Sequence, residues 1–287
     1  MTKAAEVDSP VTIQRALAHA CRQLENSQPG YRIDAETLLC HVLGCNSAKL
    51  IAWPEQLLTT EQQAQFCHLV EQRRQGMPVA YLTGRREFWS LELKVTPDTL
   101  IPRPETELLV ETVLELCDAS QPLAVADLGT GSGAIACALA SERPAWQLIA
   151  TDISSAALAV AQQNASHHQL KNIRFIHSDW FSALADECFD VIVSNPPYVA
   201  SHDEHLAQGD VRFEPVTALT AGHAGMDDIE HLCRRARRHL NPGGLLVFEH
   251  GYDQQQAAFN CLKTNAWKAV FQHHDLAGHA RISGGRC

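Results

Sequence analysis

Past Pro122 the chain alternates short apolar runs with longer segments whose apolar positions recur at helical spacing. Runs at about 124–129, 147–152, 173–178, 189–194, 244–250, 267–273 and 279–285 read as strands, and segments near 132–141, 154–166, 227–240 and 254–264 read as helices. That alternation marks a doubly wound α/β domain. Only Asp275 to Gly278 separates the last two strands, so the expected seven-stranded sheet is mixed and closes on an antiparallel last strand.

Before residue 77 the period is helical. Ser9-Pro10 reads as a cap with proline at the first helical position, followed by Ile13, Leu17, Ala20, Cys21 and Leu24 on one face. Asp34 reads as the cap of a second helix that Gly44 stops, and Thr60 to Gln63 has the form of a capping box. Residues 1–76 are therefore expected to form a small all-α N-terminal domain of four or five helices, without a catalytic constellation, suited to docking. From Tyr81 to Val95 the period shortens: Trp89, Leu91, Leu93 and Val95 alternate with Ser90, Glu92 and Lys94, which predicts a hairpin. Pro102-Arg103-Pro104 then holds an extended approach to a helix carrying Leu108, Leu109, Val113 and Leu116. Residues 77–104 thus read as a β-hairpin and Pro-rich linker ahead of a catalytic domain over 105–287. Its periodicity leaves two roles open, a plain connector or a rigid segment laid across the mouth of a site.

Composition narrows the class. Hydrophobic residues make up 45% of the 287, enough for a packed core, and no apolar run approaches the roughly 20 residues of a membrane span. The N-terminus lacks the apolar stretch of a signal peptide, so cytoplasm is the expectation. A net charge of −10 argues against a nucleic-acid partner, which needs a basic face. Arg234-Arg235-Ala236-Arg237-Arg238 reads as a solvated helix face. The ten cysteines show no metal or disulfide spacing and read as scattered reduced thiols; His202-Asp203-Glu204-His205 reads as a solvated loop, so no metal is expected. A monomer is the simpler expectation.

The chemistry gathers at strand ends, where open α/β sheets bind ligands. The first strand ends in Asp127-Leu128-Gly129-Thr130-Gly131-Ser132-Gly133, a tight turn that lets a ligand approach the backbone. It lacks both the dinucleotide G-x-G-x-x-G and the Lys-Ser/Thr of a phosphate-cradling loop. The second ends in Asp152, placed to accept from ribose hydroxyls, with Ser154 capping the following helix. The third ends in Asp179-Trp180, an acceptor for an exocyclic amine beside an apolar ring face. Together they describe an acidic pocket for an adenosine without phosphate, which S-adenosylmethionine fits. The fourth strand delivers Asn195-Pro196-Pro197-Tyr198. The Asn195 side-chain oxygen and the Pro196 carbonyl can hold both N–H bonds of a planar NH2 group and turn its lone pair toward a methyl donor, with Tyr198 stacked over it. These residues alone leave the acceptor open between an amide and a nucleobase amine, and leave a non-catalytic binding module as a third reading.

From Tyr81 to Arg286 the chain resembles the class I (Rossmann-like) methyltransferases, and within them the PrmC/HemK family of protein-glutamine N5-methyltransferases. The resemblance rests on Leu82-Thr83-Gly84, Arg86-Glu87-Phe88-Trp89, Leu100 to Glu107, Asp127 to Gly133, Asn195 to Tyr198, Arg212-Phe213-Glu214-Pro215, Pro242-Gly243-Gly244 and Glu249-His250-Gly251-Tyr252. It implies S-adenosylmethionine as methyl donor, and as substrate the glutamine of the Gly-Gly-Gln motif in class I peptide chain release factors. It implies cofactor contacts from Asp127, Gly129, Thr130, Gly131, Ser132, Gly133, Asp152, Asp179, Trp180, Asn195 and Glu105. Asn195 to Tyr198 would hold the glutamine amide, and Phe88 and Arg103 to Glu105 would line its pocket. The sequence departs from the family at His250, where an aliphatic residue is more usual, and near Ala280, where the family more often has an acidic one.

Overall fold

The fold is described from a computed structural model covering residues 11–25, 30–185 and 187–287. Contacts divide the chain into two units, residues 1–84 and 85–287.

The first unit packs five helices: α1 (Ile13–Leu24), α2 (Tyr31–Leu43), α3 (Ser47–Ala52), α4 (Thr60–Arg74) and α5 (Val79–Thr83). Ile13, Leu24, Leu38, Leu39, Phe66 and Val70 fill its core. Three caps sit elsewhere than the sequence suggests. Ser9-Pro10 lies outside the described residues, and the α1 cap is Thr12, whose hydroxyl accepts from Arg15 N. Asp34 does not cap α2, which starts at Tyr31 behind Gly30; it lies in the first turn and accepts from the buried Arg73 Nε at 2.7 Å. The capping box of α4 is shifted by one residue, pairing Thr59 with Gln62. Thr12 and Thr59 cap α1 and α4 with their side chains, whereas α2 starts at Gly30 with no side-chain cap.

The second unit opens with a hairpin, β1 (Arg85–Phe88) and β2 (Leu91–Lys94), and continues through α6 (Glu107–Leu116), β3 (Ala124–Leu128), α7 (Ala134–Glu142), β4 (Gln147–Asp152), α8 (Ser155–His167), β5 (Ile173–His177), β6 (Phe189–Ser194), α9 (Asp227–Arg235), β7 (Leu240–Glu249), α10 (Gln255–Thr264), β8 (Lys268–His274) and β9 (Ala280–Arg286). Strands β3 to β9 form one seven-stranded sheet in the order β5-β4-β3-β6-β7-β9-β8. All neighbours are parallel except β9, which runs antiparallel to both β7 and β8 and so lies inside the sheet, between them.

Strand periodicity sends alternate residues to opposite faces. Val125, Leu148, Val191, Val193, Leu245 and Val247 join α6 and α7 in one core. Ala126, Leu128, Ile149, Ile192, Leu246 and Phe248 join α9 and α10 in the other. Helix α9 is shorter than the sequence pattern, passing into a 3-10 turn at Ala236–His239. Of its arginines, Arg237 is not merely solvated: Nη1 donates to the carbonyls of Asn265 and Ala266, both at 3.1 Å. All ten cysteines are free thiols. Among the described residues no helix is long and apolar enough to cross a membrane.

The hairpin is no detached linker. Phe88 is 1% exposed and packs with Leu93, Leu109, Val110 and Val113, inside the second unit. Asn164, buried on α8, accepts from Lys94 N at 2.7 Å and donates to Ser132 O at 2.8 Å, tying the hairpin to the glycine turn. Phe88 therefore belongs to the core and not to a substrate pocket. Truncating it (Phe88→Ala) is expected to cost about 3–5 kcal/mol, the range for a buried aromatic. Urea unfolding of the full-length protein measures this loss.

Candidate active site

Four adjacent strands bring their C-terminal ends to one edge of the sheet, and a cavity of about 570 Å³ opens there. Gly129, Gly131, Asp152, Asp179, Trp180, Asn195 and Pro197 line it, so residues of three strand-end turns and of the Asn-Pro-Pro-Tyr segment meet at one cavity. The volume lies in the usual small-molecule range.

The glycine turn depends on left-handed backbone. Gly129 and Gly131 have φ of 73° and 56°, and a Cβ on either would meet nothing within 4 Å, so conformation and not crowding demands glycine. Gly133 (φ 83°) is also crowded: a Cβ would lie 3.0 Å from that of Ala161. Asp127 sits beneath the turn, fully buried, with Oδ2 accepting from Thr130 Oγ1 at 2.6 Å and Ala136 N at 3.2 Å. It supports the turn from inside and does not line the cavity; Thr130 and Ser132 are likewise buried. Burial pushes the Asp127 carboxyl up to about 7 against the pull of those two donors.

Asp152 does line the cavity, and it also holds the walls. Oδ2 accepts from Gly131 N and Oδ1 from Ser154 N, both at 2.8 Å. Ser154 caps α8 by accepting from Ala157 N, leaving Asp152 free of that task. Trp180 is the strained member, with φ of 48° in a non-glycine residue, a signature of functional constraint. Ser178 Oγ donates to its carbonyl at 2.9 Å, and its indole stands close to the Asp228 carboxyl. Burial and the nearby carboxylates of Asp227 and Asp179 push Asp228 up to about 6. Asp228, a cavity residue that the sequence reading passed over, lies in the first turn of α9, where an acid ordinarily reads as a helix-dipole partner.

The lining carries four aspartates and no Lys, Arg or His. Such walls repel a phosphate and suit a cationic, hydroxyl-bearing ligand with a flat ring, so the residues fit S-adenosylmethionine. Asp98, Thr99 and Leu100 close one side of the cavity and Pro215, Thr217 and Ala218 the other. Buried Glu214 joins these two segments: Oε2 accepts from Ile101 N at 2.9 Å, and Oε1 pairs with the Arg103 guanidinium. The residues before Pro104 are thus a rigid strap at the cavity mouth. Arg103 is spent on Glu214, and exposed Glu105 is not among the lining residues.

Asn195 directs Nδ2 at Thr106 Oγ1, 3.1 Å away, and its Oδ1 has no hydrogen-bond partner among the described residues. Pro196 is buried, and its carbonyl accepts no hydrogen bond within the described chain. Both acceptors are thus uncommitted within the described chain; Asn195 and Pro197 line the cavity, and Pro196 lies between them. Tyr198 is placed differently from the expected stacking lid. Its ring packs against the second core cluster, and its hydroxyl donates to Glu249 Oε1 at 3.1 Å. Gln254 Nε2 donates to the Tyr198 carbonyl at 2.9 Å and fixes the turn from behind.

His250 is buried beside this site. Nδ1 must donate to the Gly251 carbonyl (2.8 Å), so Nε2 accepts from Ser283 Oγ (2.9 Å), which the neutral ring satisfies; burial lowers its pKa accordingly.

The sequence matches two protein families: PrmC N-terminal domain over residues 15–84 and Methyltransferase small domain over residues 104–212. It is 49% identical over 279 residues to the release factor glutamine methyltransferase of Xylella fastidiosa strain Temecula1, covering 97% of this chain and 98% of that one. It is 49% identical over 273 residues to the Escherichia coli K12 protein of the same name, covering 95% and 98%. Among solved structures, a methyltransferase from Pyrococcus furiosus matches with a TM-score of 0.52 at 17% identity, over 79% of this chain and 98% of that one.

The Asp127 carboxyl yields a pH test. The folded state keeps its proton up to about pH 7, whereas the unfolded chain releases it near 3.8. Between those values the folded state binds more protons, so this group's contribution falls as pH rises. Asp127→Asn, which has no proton to release, is expected to flatten the stability profile across that window, as read by unfolding free energies at several pH values.

Proposed function

The chain belongs to the release factor glutamine methyltransferase family, and from this we propose that it methylates the side-chain amide N5 of the glutamine in the Gly-Gly-Gln motif of class I peptide chain release factors. The observation that carries the reading is the paired, uncommitted acceptors of Asn195 and Pro196 beside an acidic cavity. When bound, S-adenosylmethionine supplies an electrophilic methyl group on a sulfonium.

Gly129 and Gly131 hold the cofactor by backbone, Asp152 takes ribose hydroxyls, Asp179 the exocyclic amine, and Trp180 the ring face. Asn195 Oδ1 and the Pro196 carbonyl accept the two N–H bonds of the glutamine amide. An amide nitrogen is a poor nucleophile because its lone pair is delocalised; fixing both N–H bonds turns that lone pair toward the methyl group. The same two dipoles favour positive charge developing on nitrogen. A nitrogen-methylated, protonated amide is strongly acidic, so it loses its proton to solvent without a dedicated base. Pro197 and the Tyr198 anchor keep the turn rigid.

The helical unit, residues 1–84, serves as the docking module in this reading, supported by exposed Ile33, Ile51, Trp53 and Leu57. The substrate places the reaction in the cytoplasm without direct nucleic-acid contact, in keeping with the net charge of −10.

The deciding experiment incubates the protein with labelled S-adenosylmethionine and a release factor. Label is expected on the wild-type factor and absent from a factor whose motif glutamine is alanine; equal labelling of both, or transfer to RNA, overturns the reading. Replacing Asn195 by alanine is expected to lower kcat on the order of a hundredfold or more, with cofactor affinity little changed. Steady-state kinetics beside calorimetric cofactor titration separates the two effects.

A further inference from the structure

An asparagine amide can be turned end for end with almost no change of shape, exchanging acceptor for donor. Methyl transfer to an amide needs the acceptor end of Asn195 at the cavity, since the donor end would face the substrate's own N–H groups. Thr106 receives Nδ2 at 3.1 Å, but a hydroxyl both donates and accepts. By itself it would serve either orientation of the amide. Direction has to come from whatever the Thr106 proton points at.

That group is Glu249. It ends β7, next to β6, where Ser194 pairs with Phe248, so its carboxyl lies behind the Asn-Pro-Pro-Tyr turn. Glu249 is 1% exposed and Thr106 4% exposed. Tyr198 Oη donates to Oε1 at 3.1 Å, and Oε2 has no hydrogen-bond partner at close range. The Thr106 hydroxyl lies beside this carboxyl and therefore has an open acceptor before it. Burial raises the Glu249 pKa, while the Thr106 and Tyr198 hydroxyls and the Arg281 charge oppose the rise and Glu105 adds to it. Oε1 already accepts from Tyr198 and Oε2 stands open, so Glu249 offers the Thr106 proton an acceptor, and in that arrangement the donors run one way, from Asn195 to Thr106 and on toward Glu249.

We propose that Thr106 and Glu249 are positioning residues that fix the Asn195 amide with its oxygen toward the substrate, and that Glu249 holds the other end of the same turn through Tyr198. The inference rests on the methyl-transfer reading of the site. It explains why a carboxylate is retained in a buried position with an unfilled oxygen, an arrangement that is costly when it serves packing alone.

The test uses three variants of the full chain: Thr106→Val, which keeps the shape and removes the hydroxyl; Thr106→Ser, which restores it; and Glu249→Gln, which replaces the pure acceptor by a group that can also donate. Circular dichroism and calorimetric titration with S-adenosylmethionine check folding and cofactor affinity. Thr106→Val is expected to lower kcat for release-factor methylation on the order of a hundredfold, the scale of a misplaced reacting group, with cofactor affinity unchanged. Thr106→Ser should recover most of the rate, and Glu249→Gln should fall with Thr106→Val. A second readout needs no turnover: the side-chain amide resonances of Asn195, in protein labelled at asparagine nitrogen, should shift or split in Thr106→Val and return in Thr106→Ser. Wild-type kcat and an unmoved Asn195 resonance in folded Thr106→Val overturn the inference, as does failure of the serine variant to restore either signal. A wild-type protein that labels no release factor, yet shows the resonance changes, would sink the functional reading and leave the positioning role standing.

Discussion

The site depends on the parallel pairing of β3 with β6. It sets the glycine turn and the Asn-Pro-Pro-Tyr segment beside each other, although more than sixty residues separate them in sequence. Val125 to Asp127 pair with Val191 to Val193, and Ser194 Oγ then donates to the Leu128 carbonyl at 2.7 Å, past the last ladder bond. A one-residue slip of β6 would turn Val191 and Val193 from one core to the other and carry Asn195 away from the cavity. The two cores that clamp the sheet thus set the position of the reacting amide.

Carboxylates at strand ends are the second organising feature. Asp127, Asp152 and Glu249 each close a buried or half-buried strand, and burial raises the pKa of all three. Each uses its acceptors to hold backbone that has little regular structure of its own. Asp127 holds the glycine turn from within, Asp152 links that turn to the start of α8, and Glu249 holds the Tyr198 side of the fourth loop. A buried carboxyl accepting from such donors is a rigid anchor where the chain leaves the sheet.

Much of this was legible in the residues. Short apolar runs located every strand of the sheet, because each strand must present apolar residues to both cores. The turns at Gly129–Gly133, Asp152, Asp179–Trp180 and Asn195–Tyr198 announced themselves as polar or glycine-rich breaks after those runs. Partners were harder to read. Phe88 carried no mark separating a pocket aromatic from a core one, and only its packing with Leu109 and Val113 decided the matter. Tyr198 looked like a stacking lid until its hydroxyl was seen on Glu249. Glu214 and Thr106 lie within stretches that carry the resemblance, yet nothing in their local pattern names the strap or the amide they hold. Glu249 was the most findable of these, since it ends an apolar strand as Asp127 and Asp152 do.

By itself the sequence determined the fold class, the edge of the sheet that carries the chemistry, and the kind of group the site can hold. These follow from periodicity and from the residue types at chain reversals, which are local properties. Only the tertiary structure decided which of two chemically equivalent ends each polar group presents. It turned Asp127 inward, committed Arg103 to Glu214, and left the Asn195 oxygen facing the cavity. A hydrogen bond is a relation between residues distant along the chain, and its direction is set by the last acceptor in the network, which no local pattern contains.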